Sequence, residues 1–410
     1  MVHVTQLILV ATAVGSVAAG GSKTPKKKTC KVPYAGKNKD NSPLILETFA
    51  KCSSNAIVEF EEPYTYHAWT PMSWVNLSNV DIHLYGNLDL PCDIATVQQK
   101  INSTSNQPST YATPWFYIQG SNVNLVGSKN NKYGQFHGYG QQWWDIGQRI
   151  LRPQLATFNV STGTISNIKV IKPVAWGFNI PGTNVKVTNH FVDAAPNNGT
   201  RDQTTSFPAN TDGFNMSGQN ITLDGYYGHN GDDCVSVVNG ARNIVAKNGY
   251  CGFSSHGLSI GSLGRNSAVQ TVANVLFENW TMEGANVTWR NIESLNVSTA
   301  IFITQNYYDQ DKGPRPNNTS GTSTTIDNFT FEDFEGSLGP TGPTSIIMDL
   351  YPNTATNLHF KNIKVHPYKK PYSATTVICD PATLAPGEQD TLGFKCQRGP
   401  YVPTKIKGSH

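Results

Sequence analysis

The stretch Asn220-Ile221-Thr222-Leu223, together with Asn243-Ile244-Val245-Ala246, decides the fold of this chain. Each copy begins with Asn and continues with an apolar residue, any residue and a second apolar residue. The alternation places apolar side chains on the inner face of a short strand. Asn is one of the few residues that adopts a left-handed turn, and equivalent Asn side chains can form ladders. Further copies begin at Asn79, Asn122, Asn167, Asn184, Asn274, Asn286, Asn328 and Asn357.

So many copies in one register predict an all-β chain, a single-domain right-handed parallel β-helix over residues 30–405. A β-sandwich also has short alternating strands, but it lacks this recurring Asn. Residues 45–52 predict a short N-terminal helix that caps the open end of the solenoid. Such a cap is needed because an uncapped coil exposes core and strand edges.

The interval between two of the copies is too short for a coil. Asn274 and Asn286 are about half a coil apart, and roughly a dozen residues cannot supply three strands with their turns. Either the chain passes to the next rung near residues 282–286 without completing a coil, or a segment present in a complete parent sequence is absent there.

Composition favours a secreted protein. Residues 1–20 are typical of a signal peptide, residues 21–29 form a basic linker, and no later segment is apolar for the roughly 18 residues of a membrane span. About a dozen Asn-x-Ser/Thr sequons follow, including Asn102, Asn198, Asn220 and Asn296. The net charge of +3 over 410 residues gives no argument for nucleic acid. We expect a secreted, extracellular glycoprotein, monomeric, with no membrane or nucleic-acid partner.

Seven cysteines in an oxidising compartment favour disulfides. Proximity along the chain predicts the pairs Cys30–Cys52, Cys234–Cys251 and Cys379–Cys396. Cys92 is left over, either free or without its partner.

Three aspartates and a histidine recur at a spacing of roughly one coil. Asp212, Asp233 and His256 are therefore expected on neighbouring rungs, about 4.8 Å apart, with Asp232 beside them. Carboxylates packed so closely repel each other unless a site uses them. Taken singly, these residues also fit an Asx turn, a calcium site or a structural histidine.

The chemistry that this group suits is acid–base hydrolysis of a glycosidic bond. One protonated carboxyl protonates the leaving oxygen, and one carboxylate activates water. Neighbouring carboxyls shift each other's pKa apart, which supplies both forms at one pH. A histidine beside them can hold the acid in its required state.

The motifs together resemble glycoside hydrolase family 28, the polygalacturonases and rhamnogalacturonan hydrolases. They are Asn210-Thr211-Asp212-Gly213, Gly231-Asp232-Asp233-Cys234 and residues 256–264, and the resemblance covers most of residues 30–400. Residues 140–145 and 300–308 also resemble the family, the latter its fungal exo-acting branch. The resemblance implies a right-handed β-helix and release of galacturonic acid from the non-reducing end of pectic chains with inversion.

The resemblance also implies roles for individual residues. Asp232 would be the general acid, Asp212 and Asp233 the bases that activate water, and His256 a supporting residue. It implies no metal and no organic cofactor. We expect a pectic polysaccharide substrate, with Asn210 among the substrate-binding residues.

One motif of the family is missing. An Arg-x-Lys pair that binds the substrate carboxylate should follow the histidine motif on the next coil, but residues 278–287 contain no Arg or Lys. This gap falls in the short interval found from spacing alone. Tyr307, Lys312 and Arg315 are candidate substrate-binding residues in its place, although a solvated loop fits them equally well.

Several functions therefore remain open. The first is a secreted exo-polygalacturonase. The second is a non-catalytic or weakly active pectin-binding relative that keeps the acids and lacks the Arg-x-Lys clamp. Rhamnogalacturonan and xylogalacturonan hydrolases are further alternatives, because these polymers also present galacturonic acid. A calcium-dependent pectate lyase is also a β-helix, but its arginine base and aspartate-rich ligand cluster are not evident.

Overall fold

The computed structural model describes residues 26–102, 114–199, 205–263, 270–283, 290–305, 326–339, 344–367, 375–398 and 402–403. The helices are α1 (Ser42–Lys51), α2 (Ile94–Asn102), α3 (Gly140–Asp145) and α4 (Glu388–Thr391), with a 3-10 helix at Pro381–Thr383. The predicted signal peptide lies outside these ranges.

The strands of the first half are β1 (Lys28–Lys31), β2 (Ser54–Phe60), β3 (Thr65–His67), β4 (Met72–Leu84), β5 (Asn87–Asp89), β6 (Pro114–Gly127), β7 (Gln135–His137), β8 (Gln154–Val160), β9 (Gly163–Ser166), β10 (Lys169–Ile171), β11 (Phe178–Ile180), β12 (Thr183–Asp193) and β13 (Phe214–Met216). Those of the second half are β14 (Gln219–Asn230), β15 (Asp233–Val237), β16 (Arg242–Phe253), β17 (Gly257–Ile260), β18 (Ala273–Glu283), β19 (Arg290–Val297), β20 (Ile301–Thr304), β21 (Ile326–Asp327), β22 (Thr330–Leu338), β23 (Ile346–Asp349), β24 (Ala355–Thr356), β25 (His359–His366), β26 (Thr376–Ile378) and β27 (Val402–Pro403).

These strands stack in parallel ladders around one apolar interior, which confirms the right-handed parallel β-helix. The first ladder runs β1–β2–β4–β6–β9–β12–β14–β16–β18–β19–β22–β25. A second ladder runs β8–β11–β13–β15–β17 and carries the predicted site. Within the described ranges, β26 and β27 form the one antiparallel pair.

The Asn residues of the repeat turn the chain at the strand ends, as predicted. Asn184, Asn220 and Asn243 have φ of 53°, 55° and 57°, in the left-handed region. Their side chains form a ladder, in which Asn220 Nδ2 donates to Asn184 Oδ1 at 2.9 Å and Asn243 Nδ2 donates to Asn220 Oδ1 at 2.8 Å. The two steps span 36 and 23 residues. Asn286 lies outside the described residues.

Helix α1 covers the N-terminal end, and the predicted cap is confirmed with a start at Ser42 instead of residue 45. Its Ile45 and Phe49 are buried, and Phe49 stacks on Trp74 of β4 with ring centroids 4.2 Å apart. The expected basic linker ends in ordered structure, since β1 begins at Lys28 and pairs with β2. Lys27 Nζ lies 2.7 Å from Asp81 Oδ1.

The short interval near residue 282 is visible in the register of β18 and β19. Glu278 is the partner of Arg290 and Trp280 the partner of Ile292, so the chain returns to the next rung after 12 residues, from 278 to 290. The first ladder continues across this point. The second ladder does not: in the described residues β17 pairs only with β15, and β20 belongs to a separate sheet with β23 and β26. As far as the described residues show, the ladder that carries the predicted acids therefore stops at β17.

Disulfides join Cys30 to Cys52, Cys234 to Cys251 and Cys379 to Cys396, the three pairs that the sequence predicted. Cys92 is exposed and free. In the described parts of the chain, no helix is long and apolar enough to cross a membrane.

Candidate active site

Three neighbouring strands bring the predicted acids to one edge of the second ladder. Asp212 lies two residues before β13, Asp233 opens β15, and His256 immediately precedes β17. Because β13, β15 and β17 pair in parallel, the residues before each strand share one edge. The structure therefore brings Asp212, Asp232, Asp233 and His256 together.

The residues around each acid explain why the motifs contain small and hydroxyl side chains. A β-carbon on Gly213 would lie 2.2 Å from Tyr226 Oη and 2.6 Å from Cys234 O, so only glycine fits after Asp212. Thr211 Oγ1 donates to Pro208 O at 2.7 Å and accepts from the Gly231 amide at 2.9 Å. These bonds tie the loop of the first acid to the loop of the second.

Both oxygens of Asp232 accept hydrogen bonds. Oδ1 accepts from the Asp233 amide at 2.8 Å and lies 3.2 Å from His256 Nδ1, and Oδ2 accepts from Asn210 Nδ2 at 3.1 Å. Burial alone would raise the pKa of Asp232, but His256 and the two N–H donors outweigh it and lower this pKa. The hydrogen bond that His256 donates to Asp232, opposed by burial, raises the pKa of His256 to about 9. The pair therefore favours an ionised carboxylate beside an imidazolium.

The other two carboxyls are shifted in the opposite direction. Asp212 is 8% exposed, and its Oδ1 is buried with no hydrogen-bond partner. Burial, followed by the charges of Asp232 and Asp233, raises the pKa of Asp212 well above its ordinary value. Burial and the charge of Asp232 raise the pKa of Asp233 to about 7, although Ser259 Oγ donates to its Oδ1 at 2.5 Å. The site thus combines protonated and ionised carboxyls at one pH.

Asp232, Asp233 and His256 are also a possible metal-binding group, since one ligand atom of each lies within 4.8 Å of the others. Their lone pairs, however, are largely engaged. Asp232 accepts from two N–H donors besides the histidine, and Ser259 occupies one oxygen of Asp233. The arrangement fits proton transfer better than metal coordination.

Sequence reasoning missed one residue of the site, Arg152. Its side chain is 5% exposed, and its terminal nitrogens donate to Ala209 O at 2.7 Å and to Asn210 Oδ1 at 2.6 Å. Asn210 in turn donates to Asp232, so Arg152 fixes the orientation of that amide. The preceding Leu151, with φ of 53°, and the adjoining Pro153 mark an unusual turn, but a turn gives no signal of this long-range contact.

Tyr307, Lys312 and Arg315 lie outside the described residues. Trp143 and Trp144 are buried, at 1% and 4% exposure, which agrees with a packing role.

Comparison with known proteins adds an independent line of evidence. A model of the glycosyl hydrolases family 28 matches residues 83–383. A protein of Aspergillus flavus described as probable exopolygalacturonase C is 32% identical over 433 residues, covering 94% of this chain and 95% of that protein. A protein of Aspergillus terreus with the same description is 33% identical and covers 91% of this chain and 93% of its own length.

Among solved structures, the endo-xylogalacturonan hydrolase from Aspergillus tubingensis aligns with a TM-score of 0.74, covering 91% of this chain and 100% of that chain, and its 20% identity supports the fold alone. The alignment with the Aspergillus flavus protein spans 433 positions against 94% of a 410-residue chain, so that relative has segments that this chain lacks. On the family match and the identity with these relatives, the chain belongs to glycosyl hydrolase family 28.

Proposed function

We propose that this protein is a secreted exo-polygalacturonase that releases galacturonic acid from the non-reducing end of pectic polygalacturonan. The observation that carries the proposal is the cluster of three carboxyls and one imidazole at the N-terminal ends of β13, β15 and β17 in a family-28 chain. The descriptions of the Aspergillus relatives as probable exopolygalacturonases support the exo action and the substrate.

In the proposed reaction, Asp232 protonates the glycosidic oxygen while Asp212 and Asp233 take a proton from the attacking water. The bond from water oxygen to the anomeric carbon forms as the bond to the leaving oxygen breaks, which inverts that carbon. His256 and Asn210 hold Asp232 in place through their contacts of 3.2 and 3.1 Å.

The proton for the leaving group belongs to the Asp232–His256 pair as a unit. In the free site it resides on the imidazole, because Asp232 accepts two further N–H donors. Transfer across the 3.2 Å contact places it on Asp232, which then donates it. Neutral Asp232 no longer repels charge on its neighbours. Since the Asp232 charge contributes to the raised pKa of Asp212 and of Asp233, its loss favours the ionised base.

The short coil bears on how active the protein is. The ladder carrying His256 has no strand after β17 in the described residues, and the Arg-x-Lys motif would fall at this point. Loss of a charged anchor for an anionic sugar weakens productive binding. This observation favours one second candidate, a weakly active pectin-binding relative.

Hydrolysis of a polymer panel tests the proposal. Purified protein and its Asp232→Asn variant are incubated with polygalacturonan, xylogalacturonan and rhamnogalacturonan, and products are sized by anion-exchange chromatography. We expect monomeric galacturonic acid from polygalacturonan and none from the variant. Oligomeric products would contradict the proposed exo action. Preference for xylogalacturonan or rhamnogalacturonan would contradict polygalacturonan as the substrate. Binding without release by either protein would establish the pectin-binding alternative.

Secretion and a monomeric state complete the proposal. Three disulfides fit an oxidising compartment. Sedimentation of the protein recovered from culture medium and freed of glycans tests both points. We expect a single species somewhat below the full-chain mass of 44.7 kDa, because a signal peptide is removed on secretion.

A further inference from the structure

A pocket of about 400 Å³ opens beside the acidic cluster. It is bounded by α3, by the segment that follows α3 and by the loop that leads to Asn210. Its lining includes Trp143, Trp144, Arg149, Arg152, Phe207 and Ala209. The volume lies in the range of ~300–1,000 Å³ that small-molecule sites occupy.

Arg152 in this pocket is a buried cation with neutral partners. Two of its nitrogens donate to Ala209 O and Asn210 Oδ1, and its guanidinium lies 5.1 Å from the ring centre of Trp176. Its Nε is buried and has no hydrogen-bond partner. No carboxylate forms an ion pair with it in the described part of the chain. The carboxylates of Asp212 and Asp232 act on this guanidinium without contacting it. A buried cation whose Nε lacks a partner is costly, so an anion in direct contact with it would be favoured here.

Arg149 adds a second positive charge. It is exposed and lines the same pocket. After burial, its charge is the next cause that lowers the pKa of Arg152, to about 10, which places the two guanidiniums within electrostatic reach of each other. Asp145 also lines the pocket, but its Oδ1 is engaged by Gln141 Nε2 and Ser206 Oγ, each at 2.7 Å.

We propose that this pocket binds the carboxylate of a uronic acid unit adjacent to the one being cleaved, with Arg149 and Arg152 as its cationic partners. The inference rests on the proposed function, because it takes the pectic chain as the ligand. Guanidinium groups match the planar geometry of a carboxylate with paired hydrogen bonds.

A chain of hydrogen bonds connects the pocket to the acids and supports this position for the adjacent uronic acid unit. Asn210 accepts from Arg152 and donates to Asp232, so one side chain separates the pocket from the acid. Ala209, at the wall of the pocket, immediately precedes it. On the opposite side of the cluster, the described residues contain no strand that pairs with β17 beyond β15. The two arginines therefore supply positive charge on the β8 side of the acids.

The test uses Arg149→Gln, with Arg242→Gln as the matched control. Arg242 is exposed on β16 and does not line the pocket. For trigalacturonate we expect KM to rise about 5- to 10-fold in Arg149→Gln, with kcat within about twofold, and no change in the control. Arg149→Lys should recover part of the loss. With fully methyl-esterified trigalacturonate, whose charges are removed, parent and Arg149→Gln should have equal KM.

A binding measurement separates this inference from the proposed function. Calorimetry with trigalacturonate is carried out in the Asp232→Asn background, which needs no turnover. If trigalacturonate is hydrolysed and Arg149→Gln matches the control, the pocket inference is wrong while the function stands. If nothing is hydrolysed but the Kd depends on Arg149, the pocket inference holds and the hydrolase proposal fails. If trigalacturonate is neither bound nor hydrolysed, both the pocket inference and the hydrolase proposal are wrong.

Discussion

Replacing His256 with glutamine tests the proton chemistry of the site in most detail. His256 Nδ1 lies 3.2 Å from Asp232 Oδ1. In the proposed reaction this contact stores the proton that Asp232 donates. Glutamine keeps a hydrogen-bond donor but cannot carry the charge, so it separates positioning from proton storage. His359→Gln, on β25, is a matched control away from the cluster.

The size of the effect follows from the pKa of His256. The hydrogen bond that His256 donates to Asp232, opposed by burial, raises the pKa of His256 from 6.5 to about 9. At ~1.36 kcal/mol per pKa unit this corresponds to about 3 kcal/mol. Because 57% of the His256 side chain is exposed, solvent screening reduces the interaction to ~1–2 kcal/mol. If this interaction is lost in the transition state, kcat/KM falls roughly 5- to 30-fold.

The pKa of His256 also fixes the direction in which activity changes with pH. The His256 imidazolium is present below its pKa and is lost as pH rises through about 9, so parent activity declines on that alkaline limb. In His256→Gln the proton must reside on Asp232 alone, and the limb should move to lower pH. Conformational stability follows the same linkage: the contribution of His256 is full below pH 6.5, is lost as pH rises towards 9, and is absent in the variant.

The assay is kcat/KM for trigalacturonate from pH 4 to 10, with thermal unfolding over the same range. An alkaline limb at the same pH in parent and variant, with kcat/KM within twofold, would refute the reasoning. Loss of activity in His359→Gln would instead indicate a general folding defect.

Three further predictions concern the coil, the core and the surface. Replacing residues 284–289 with a segment as long as that of the Aspergillus relatives should extend the β17 ladder and raise kcat/KM for galacturonides; unchanged kinetics would show that the short coil does not limit activity. His190→Leu should stabilise the fold by about 1–3 kcal/mol at pH 7, because both ring nitrogens are buried without partners. Burial lowers the pKa of His190 to about 3. The parent should therefore lose stability as pH falls from 6.5 towards 3, because the unfolded chain binds a proton that the folded chain excludes. Thermal scans of the variant should lack this loss. Mass spectrometry should find Asn220 unglycosylated in secreted protein, because its amide bonds to Asn184 and Asn243; a glycan there would contradict the ladder.

The fold was predictable because its signal is local and repeated. Each Asn of the repeat needs only a left-handed turn and an alternating strand after it, and both are readable from four residues. Asn184, Asn220 and Asn243 show the expected φ and the expected ladder. The short coil was equally readable, since a count of residues between copies needs no knowledge of packing.

The acids were predictable for a related reason, because residues one coil apart meet on neighbouring rungs. Arg152 was not, since its bond to Asn210 joins residues 58 positions apart and depends on how the loops before β8 and β13 fold against each other. His190 is a second case: a polar residue in a strand predicts an outward side chain, yet β12 turns it into the core, where it packs against Phe214 at 4.5 Å between ring centroids. Tertiary packing determines both positions.

The most direct measurement is the fate of tetragalacturonate labelled at its reducing end. Proton NMR follows the anomeric configuration during the first turnovers, and chromatography follows the label. We predict unlabelled galacturonic acid released one unit at a time as the β-anomer from α-linked substrate, with the label moving stepwise through trimer and dimer. Labelled monomer or dimer as a first product, or release of the α-anomer, would contradict an inverting hydrolase that acts from the non-reducing end.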